Sequence, residues 1–372
     1  MPEKKILFIT CWYPTQKLPA KGVFIQRHAE AIRLTNPNLL VVSINVELDS
    51  HILKTCWIER KEFSGLNVLE LRISSRFYKL ILALMPLMRN IYAKKIIRQI
   101  NGFDTTHIHS NIISPAAFIG YSLSKKLKKP HIITEHWSKI DRFMKYNLYS
   151  SFAKKIYKNA KAVTVVSKYL SRNVLKHTPE AAVHIIPNVV NTKLYFCKPF
   201  IPSTNKSIVF TAIASWKHPK RPDLFLSALE IVSRKINKKI IINIIGDGEQ
   251  LIQLKKAHYN FQIIWHGYKA GKEIVSILHD SNFFLHASEV ETFSVVVAEA
   301  LCTGTPAIVS NIAALTEFYA PGICLTANNT VEDWSEKILS AINVSYDEEM
   351  ISQFIRNKVA PQNISEMFNS IY

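Results

Sequence analysis

Leu285-His-Ala-Ser-Glu-Val-Glu-Thr-Phe-Ser-Val-Val-Val-Ala-Glu-Ala-Leu-Cys-Thr-Gly-Thr-Pro-Ala-Ile-Val309 is the stretch on which the reading of this chain turns. An apolar run over 283–286 ends in a short polar loop. A helical run follows over 295–302, Gly304 closes it, and Pro306 opens the next apolar strand. Strand, loop, helix and strand in that order build a parallel sheet covered by helices. Glu291 falls in the loop at a strand's carboxyl end, and Glu299 falls inside the helix, roughly one turn from its start. In open α/β sheets ligands bind in that crevice. The free N–H groups and positive dipole end of the helix suit a diphosphate there. Two carboxylates flanking an anion site make poor anion ligands, but they are good acceptors for the hydroxyls of sugars attached to a diphosphate. The plainer alternative is a solvated loop glutamate beside a partly exposed helix glutamate.

The same alternation runs from end to end. In the first half strands are expected at 6–10, 39–44, 67–72, 106–109, 131–134, 162–166 and 184–186, with helices at 22–34, 79–99 and 114–127. In the second half strands are expected at 208–214, 240–245, 263–266, 283–286 and 307–309. The helices between and after them are expected at 223–235, 249–256, 272–280, 295–302 and 331–344. Pro187-Asn188 and the stretch 198–206 break the pattern and read as an interdomain connection. Two Rossmann-like α/β domains with a cleft between them follow, drawn at 1–190 and 191–346.

At 372 residues, 48% apolar and only 20% charged, the chain has material for two buried cores and is not disordered. Its five cysteines are odd in number, scattered and without C-x-x-C spacing, which suggests neither a zinc site nor a disulfide framework. A reduced cytoplasmic setting fits. The N-terminus enters a strand at once, unlike a signal peptide. The longest apolar block, 80–88, is interrupted by Pro86 and falls far short of a membrane span. A net charge of +19 admits nucleic acid or an anionic membrane surface as partner, or it reflects solvated lysine-rich helix faces. No nucleic-acid-binding motif is visible. Residues 76–98 mix Phe77, Leu80, Leu84, Leu87 and Ile91 with Lys79, Arg89, Lys94 and Arg98. Such a basic amphipathic segment lies either at a membrane interface or on the first domain's own sheet, kinked at Pro86 in both cases.

Glu291 and Glu299 resemble the E-x7-E signature of the family 4 glycosyltransferases, retaining enzymes of the GT-B fold, and Ser288, Phe293, Ala300, Gly304 and Pro306 match the same pattern. The resemblance covers most of the chain. Trp12-Tyr13-Pro14 followed by Gly22 is similar to the family's first strand-to-helix loop, where glycine lets backbone approach a phosphate or an acceptor. His136, in Thr134-Glu-His-Trp137, matches the active-site histidine. His109 ends the preceding strand, and Asp141 and Arg142 follow within reach of an acceptor; a structural role is the competing account of His109. The segment from Ala212 to Asp223 resembles the phosphate-binding loop. Lys220 matches its lysine, but Ser215 stands where many members carry arginine, so Lys217 or Arg221, or the helix terminus alone, is left to supply the second charge. Gly246, in Ile245-Gly-Asp-Gly248, and Tyr268, after His266-Gly267, match the loops expected to meet the nucleotide and its base. The resemblance also implies a last segment, 347–372, that crosses back to the first domain.

What the resemblance implies is a retaining transferase that moves a sugar from a nucleotide-diphosphate sugar to a hydroxyl acceptor. Glu299 would hold the ribose and Glu291 the transferred sugar. Lys220, with the N–H groups around Thr292, Phe293, Ser294 and Val295, would stabilise the departing diphosphate. Gly22 and His136 would serve from the first domain. No cofactor is expected beyond the sugar nucleotide, and no metal, since no D-x-D-like cluster is present. The acceptor expected is a glycan or a lipid-linked hydroxyl in surface polysaccharide or glycolipid synthesis, at a cytoplasmic or inner-membrane location. A sugar-nucleotide epimerase and a non-catalytic sugar-nucleotide-binding protein are the alternatives; nucleic acid is not expected.

Overall fold

The computed structural model describes residues 3–15, 18–61, 65–197, 207–316 and 323–372. The connection expected at 198–206 lies outside the described residues. The chain divides into two compact units, one of residues 1–189 with 361–372 and one of residues 190–360.

Unit 1 is built on an eight-stranded sheet: β1 (Lys5–Thr10), β2 (Asn38–Glu47), β3 (Lys54–Lys61), β4 (Asn67–Ser74), β5 (His107–Asn111), β6 (His131–Glu135), β7 (Ala162–Val165) and β8 (Val183–Ile185). The order across the sheet is β3-β4-β2-β1-β5-β6-β7-β8, parallel throughout except for the antiparallel edge pair β3–β4. The order reverses at β1, with β2 on one side and β5 on the other. That is a switch point, where the carboxyl ends of the strands open a crevice. Central strands buried on both faces are continuous apolar runs, as in Ile6-Leu-Phe-Ile9. One face packs Ile6, Phe8 and Ile132 against the helices Val23–Thr35 and Pro361–Ile371. The other packs Leu7, Ile9 and Ile108 beneath the helix Arg89–Gln99 and its neighbour Phe118–Leu127.

The single helix expected over 79–99 is two, Tyr78–Leu84 and Arg89–Gln99. Pro86, between them, lacks the N–H that a continuous helix would need. The segment expected to run back over 347–372 also divides, at Ala360-Pro361. Its first half, the helix Glu348–Val359, stays in unit 2, where Ser352 Oγ donates to Cys302 O at 2.7 Å. Its second half lies on unit 1, where Thr35 and Ser365 hydroxyls meet at 2.8 Å and Lys4 Nζ donates to Asn369 O at 2.9 Å.

Unit 2 carries β9 (Ser207–Ile213), β10 (Lys239–Ile245), β11 (Gln262–Gly267), β12 (Phe283–His286), β13 (Ala307–Ser310) and β14 (Cys324–Ala327). They lie in the order β11-β10-β9-β12-β13-β14, all parallel, which places a second switch point at β9–β12. Trp216, Phe225, Trp334, Phe210 and Leu285 centre its core. All five cysteines are free thiols. Among the described residues no helix is long and apolar enough to cross a membrane.

Candidate active site

In unit 2 the loop over 214–221, between β9 and the helix Pro222–Ser233, is laid against the ends of two neighbouring strands. Buried Trp216 donates its indole N–H to Ile245 O at 3.0 Å and its backbone N–H to Asp247 O at 2.9 Å. On the other side the Arg221 N–H reaches Ala287 O at 3.1 Å, and the Glu289 N–H reaches Pro219 O at 3.0 Å. Gly246 and Gly248 are where this packing leaves no room for a side chain. A Cβ would lie 2.0 Å from Ala214 O at the first and 2.1 Å from Trp216 O at the second. Their glycine requirement comes from the neighbouring loop, and the tight turn it produces sits beside Gly267, whose carbonyl accepts from the Gly246 N–H at 2.7 Å. Tyr268 follows directly and is exposed.

The loop delivers Lys220 to the mouth of β12. Its Nζ forms an ion pair with Glu291 Oε1 and lies 3.3 Å from His286 Nε2. His286 Nε2 is 2.7 Å from the same Glu291 oxygen and 3.1 Å from Ser294 Oγ. A carboxylate only accepts, so Nε2–H donates to Glu291. Burial opposes ionisation of Glu291, but the charge of Lys220 and the bond from His286 outweigh it and bring its pKa down to about 2. Burial and then Lys220 push His286 below its ordinary value, against the pull of Glu291. The cluster is therefore a neutral imidazole between a held carboxylate and a held ammonium.

Ser294 ends the loop in the left-handed region, φ 66° and ψ 85°, which a residue with a Cβ seldom adopts. Its hydroxyl is turned to His286, so no side chain caps the helix Val295–Cys302 from this position. Ser294 thus offers no side-chain acceptor to the N–H groups of that helix start. Phe293 is buried beneath the turn, Thr292 and Val295 are half-buried, and Glu299 is 4% exposed within the helix. Ser288 N–H donates to Ser310 Oγ at 2.9 Å, and Ser310 donates to Asn329 Oδ1 at 2.6 Å, which braces the loop from below. Of the cations named for the place of the missing arginine, Arg221 is committed elsewhere. Its guanidinium binds Asp223 at 2.7–3.1 Å and Glu289 at 3.1 Å. Lys217 and Ser215 are exposed on the same loop.

In unit 1 Gly22 sits at φ 70°, ψ 22° as the N-cap of its helix, and a Cβ there would lie 2.3 Å from Trp12 O. Glu135, at the end of β6, is fully buried and accepts four hydrogen bonds at 2.8–2.9 Å, from the N–H groups of Ile113, His136 and Trp137 and from Tyr157 OH. It fixes the turn that carries His136. Part of that turn's scaffold is Ile112, held at φ 70° although β-branched, which aims the Ile113 N–H at the carboxylate. His136 is buried against Phe24 and His28 at ring distances of 4.9 and 5.1 Å. Asn188 faces it, but neither ring nitrogen nor Asn188 Oδ1 meets hydrogen-bond geometry. Burial first, then His28 and His109, hold its pKa well below the ordinary value. A buried neutral imidazole with two unpaired nitrogens is able to donate to or accept from a ligand.

The other expected residues of unit 1 stand apart from this. His109 has both nitrogens occupied in the core, by Tyr372 OH and by Thr134 Oγ1 at 2.6 Å, so it anchors the last helix and presents nothing outward. Asp141 is paired with Lys176 at 2.9 Å and His177 at 2.8 Å. Arg142 is exposed and lines a surface groove of about 300 Å³ with Trp137, Lys139 and Tyr146. His286 is the member of this cluster that sequence reasoning missed. Its signal was present, since it is the one polar residue in the buried strand Phe-Phe-Leu-His. Among the described residues no group of three or more His, Cys, Asp and Glu side chains is arranged to hold a metal ion.

Residues 59–194 match the model of Glycosyltransferase Family 4, and residues 197–358 match that of Glycosyl transferases group 1. The chain is 23% identical over 340 residues to an uncharacterized glycosyltransferase of Methanocaldococcus jannaschii, covering 84% of this chain and 82% of that protein. It is 25% identical over 298 residues to a 2-deoxystreptamine N-acetyl-D-glucosaminyltransferase of Niallia circulans, covering 71% of this chain and 76% of that one. Its fold is similar to that of the Anabaena protein HepE, solved in complex with UDP and glucose, with a TM-score of 0.72, 14% identity and 99% of both chains covered. Two parallel-sheet α/β units and two family matches that together take in most of the sequence lead to one conclusion: the chain belongs to the family 4 glycosyltransferases of the GT-B fold.

Proposed function

We propose that the protein is a retaining glycosyltransferase that moves a hexose-type sugar from a nucleotide-diphosphate sugar to a hydroxyl of a glycan or lipid-linked acceptor, in surface polysaccharide or glycolipid synthesis. The observation that carries this is the Lys220–His286–Glu291–Ser294 cluster set before a helix start that Ser294 leaves uncapped. A diphosphate at that start accepts from the N–H groups of 293–295 and takes Lys220 as its counterion. Glu291, released from Lys220 but still held by His286, then accepts from hydroxyls of the transferred sugar. Glu299 accepts from the ribose, and Tyr268 lies on the base side of the turn at Gly246. Because the donors are fixed before charge develops on the leaving diphosphate, they stabilise the transition state without reorganising. Lys217 is the cation left to stand in for the arginine missing at Ser215. This account needs no metal step.

Gly22 and His136 are assigned to the acceptor and sugar side in unit 1. Glu291 is held by His286 and assigned to hydroxyls of the transferred sugar, and no other group in the cluster is activated as a nucleophile, so the reaction proposed is front-side displacement through an oxocarbenium-like state. The named relatives support the substrate class: one is a 2-deoxystreptamine N-acetyl-D-glucosaminyltransferase, and one is solved in complex with UDP and glucose.

The test is a thermal-shift screen of UDP, GDP and ADP with their common sugars. Stabilisation of about 2.7 kcal/mol is expected at a hundredfold excess over Kd for the right donor. The anomeric configuration of the glycosidic bond in the transfer product is then compared with that of the donor by NMR. Absence of any selective stabilisation by a sugar nucleotide, or an inverted product, would sink the assignment.

A further inference from the structure

We infer that unit 1 docks on an anionic lipid bilayer through the surface formed by the loop over 48–53, the helix Tyr78–Leu84 and the turn after it. This goes beyond the transferase reading and uses none of its site residues, so the two can fail separately.

The helix Tyr-Lys-Leu-Ile-Leu-Ala-Leu is apolar in five of its seven residues, yet it has no buried residue. A helix of that composition on a helix-covered sheet normally turns a face to the core, and Ile81, half-buried, packs on it. Here Leu80 is 56% exposed, and Leu84 and Leu87 are also exposed. The loop before β3 joins the same surface. Arg76 N–H donates to His51 O at 2.8 Å, and Ser75 hydroxyl bonds Ile52 O, which sets exposed Ile52 and Leu53 beside the helix start. On the other side Tyr149 OH donates to Ala83 O at 2.9 Å and brings the loop of Leu148, 88% exposed, against the helix end. These contacts join three segments into one apolar surface. Contiguous exposed apolar patches of this kind mark interaction sites.

Charge selects the occupant. No Asp or Glu occurs between Leu71 and Phe103, against seven Lys and Arg, and none between Arg142 and Pro179, against eight. Arg76, Lys79 and Lys145 are exposed and lie on neighbouring aromatic rings, Phe77 at 4.9 Å, Tyr78 at 6.0 Å and Tyr146 at 4.9 Å. The acid in the apolar loop, Asp49, is paired with His51 at 2.8 Å. Leucines that can enter the acyl boundary, ringed by aromatics and cations at headgroup level, describe a bilayer interface. A protein partner would need matching acids set among apolar pockets, whereas an anionic bilayer supplies both features at every point of its surface.

The test is co-sedimentation of the full chain with vesicles of phosphatidylcholine alone and with added phosphatidylglycerol. Leu80→Ser/Leu84→Ser and Arg76→Glu/Lys79→Glu variants are compared with the parent, and unchanged thermal melts report intact folding. Binding is expected only with phosphatidylglycerol, weakening about tenfold or more from low to high salt and falling about tenfold in each variant. Vesicle binding absent, or indifferent to both variants, overturns the proposal. So does a parent dimer in sedimentation velocity that the leucine variant abolishes, which assigns the surface to a second copy. Salt-sensitive RNA binding in place of vesicle binding overturns it as well.

Discussion

Glu291 and Lys220 hold each other at the mouth of β12, with His286 as the neutral third member. The low pKa of Glu291 means that the folded chain holds this carboxylate ionised more strongly than the unfolded chain does. Its folded value lies below its unfolded one, so its contribution is present above about pH 4.5 and is lost as pH falls toward 2. Glu291→Gln keeps the shape and removes the charge. Turnover is expected to fall by about 10² to 10³. The melt should drop by the equivalent of roughly 1–3 kcal/mol, since Lys220 is left half-partnered. Donor binding by titration calorimetry should fall far less than turnover, because Lys220 and the helix start remain. Turnover within a factor of three of the parent would remove Glu291 from the reaction. Gly248 gives a prediction of another kind. In Gly248→Ala the new Cβ would meet the backbone of Trp216 at 2.1 Å, and that backbone is pinned by its own bond to Asp247. A loss of at least about 2 kcal/mol in unit 2 is expected. A melt unchanged to within a degree would show that the loop can move aside.

Elements differ in how far the sequence discloses them, and the reason is which faces they bury. β1, β2, β9, β10 and β12 are read correctly because strands covered on both faces are largely apolar runs. β3, Lys-Thr-Cys-Trp-Ile-Glu-Arg-Lys, is not read at all. It is an edge strand, charged to discourage further pairing, and its partner β4 lies antiparallel to it. β14 is likewise a short edge strand. The helices Ile140–Tyr146, Ser150–Lys158 and Lys168–His177 escape because lysine-rich solvent faces dilute their apolar stripes. At the site, Lys220, Glu291 and Glu299 were legible as positions in a motif. The meeting of Lys220 and Glu291 across two loops was not, and neither was the left-handed turn at Ser294 that leaves the helix start without a side-chain cap. His109 shows the reverse case: placed at a strand's carboxyl end it looks functional, and only the Tyr372 hydroxyl from the far end of the chain shows it to be structural. The loop over 214–221 yields one more prediction at this scale. With Arg221 bound to Asp223 and Glu289, Lys217→Ala should weaken donor binding several-fold with little change in the melt, while Arg221→Ala should lower the melt first. Calorimetric affinity and melting temperature for the two variants separate these outcomes; equal effects on both would mean that the division of labour is wrong.

At the scale of the molecule the two units carry very different loads of buried histidine. Unit 1 holds His28, His109, His131 and His136 in its interior, and unit 2 holds His286. Burial brings His28 to about 4 and His131 to about 3, and it holds His109 and His136 well below the ordinary value. Each is neutral when folded and takes a proton when unfolded below about pH 6.5, so the unfolded chain binds more protons over that range and stability falls with pH. Once pH reaches their folded values the loss approaches about 3 kcal/mol for His28 and about 5 kcal/mol for His131. Protonation also adds to a chain already at +19, where self-repulsion favours expansion. In unit 2 the corresponding loss comes from His286 and the half-buried His266, and Glu291 contributes only below about pH 4.5. Acidification should therefore open unit 1 first. Hydrogen exchange followed by peptide between pH 7.5 and 4.5 should show protection lost from β1, β5 and β6 while β9, β10 and β12 keep theirs. His131→Gln, which can still take the bond from Ser110, should shift the onset in unit 1 to lower pH without moving unit 2. Simultaneous loss in both units, or loss from unit 2 first, would falsify the claim that the buried histidines of unit 1 set the acid limit of the protein.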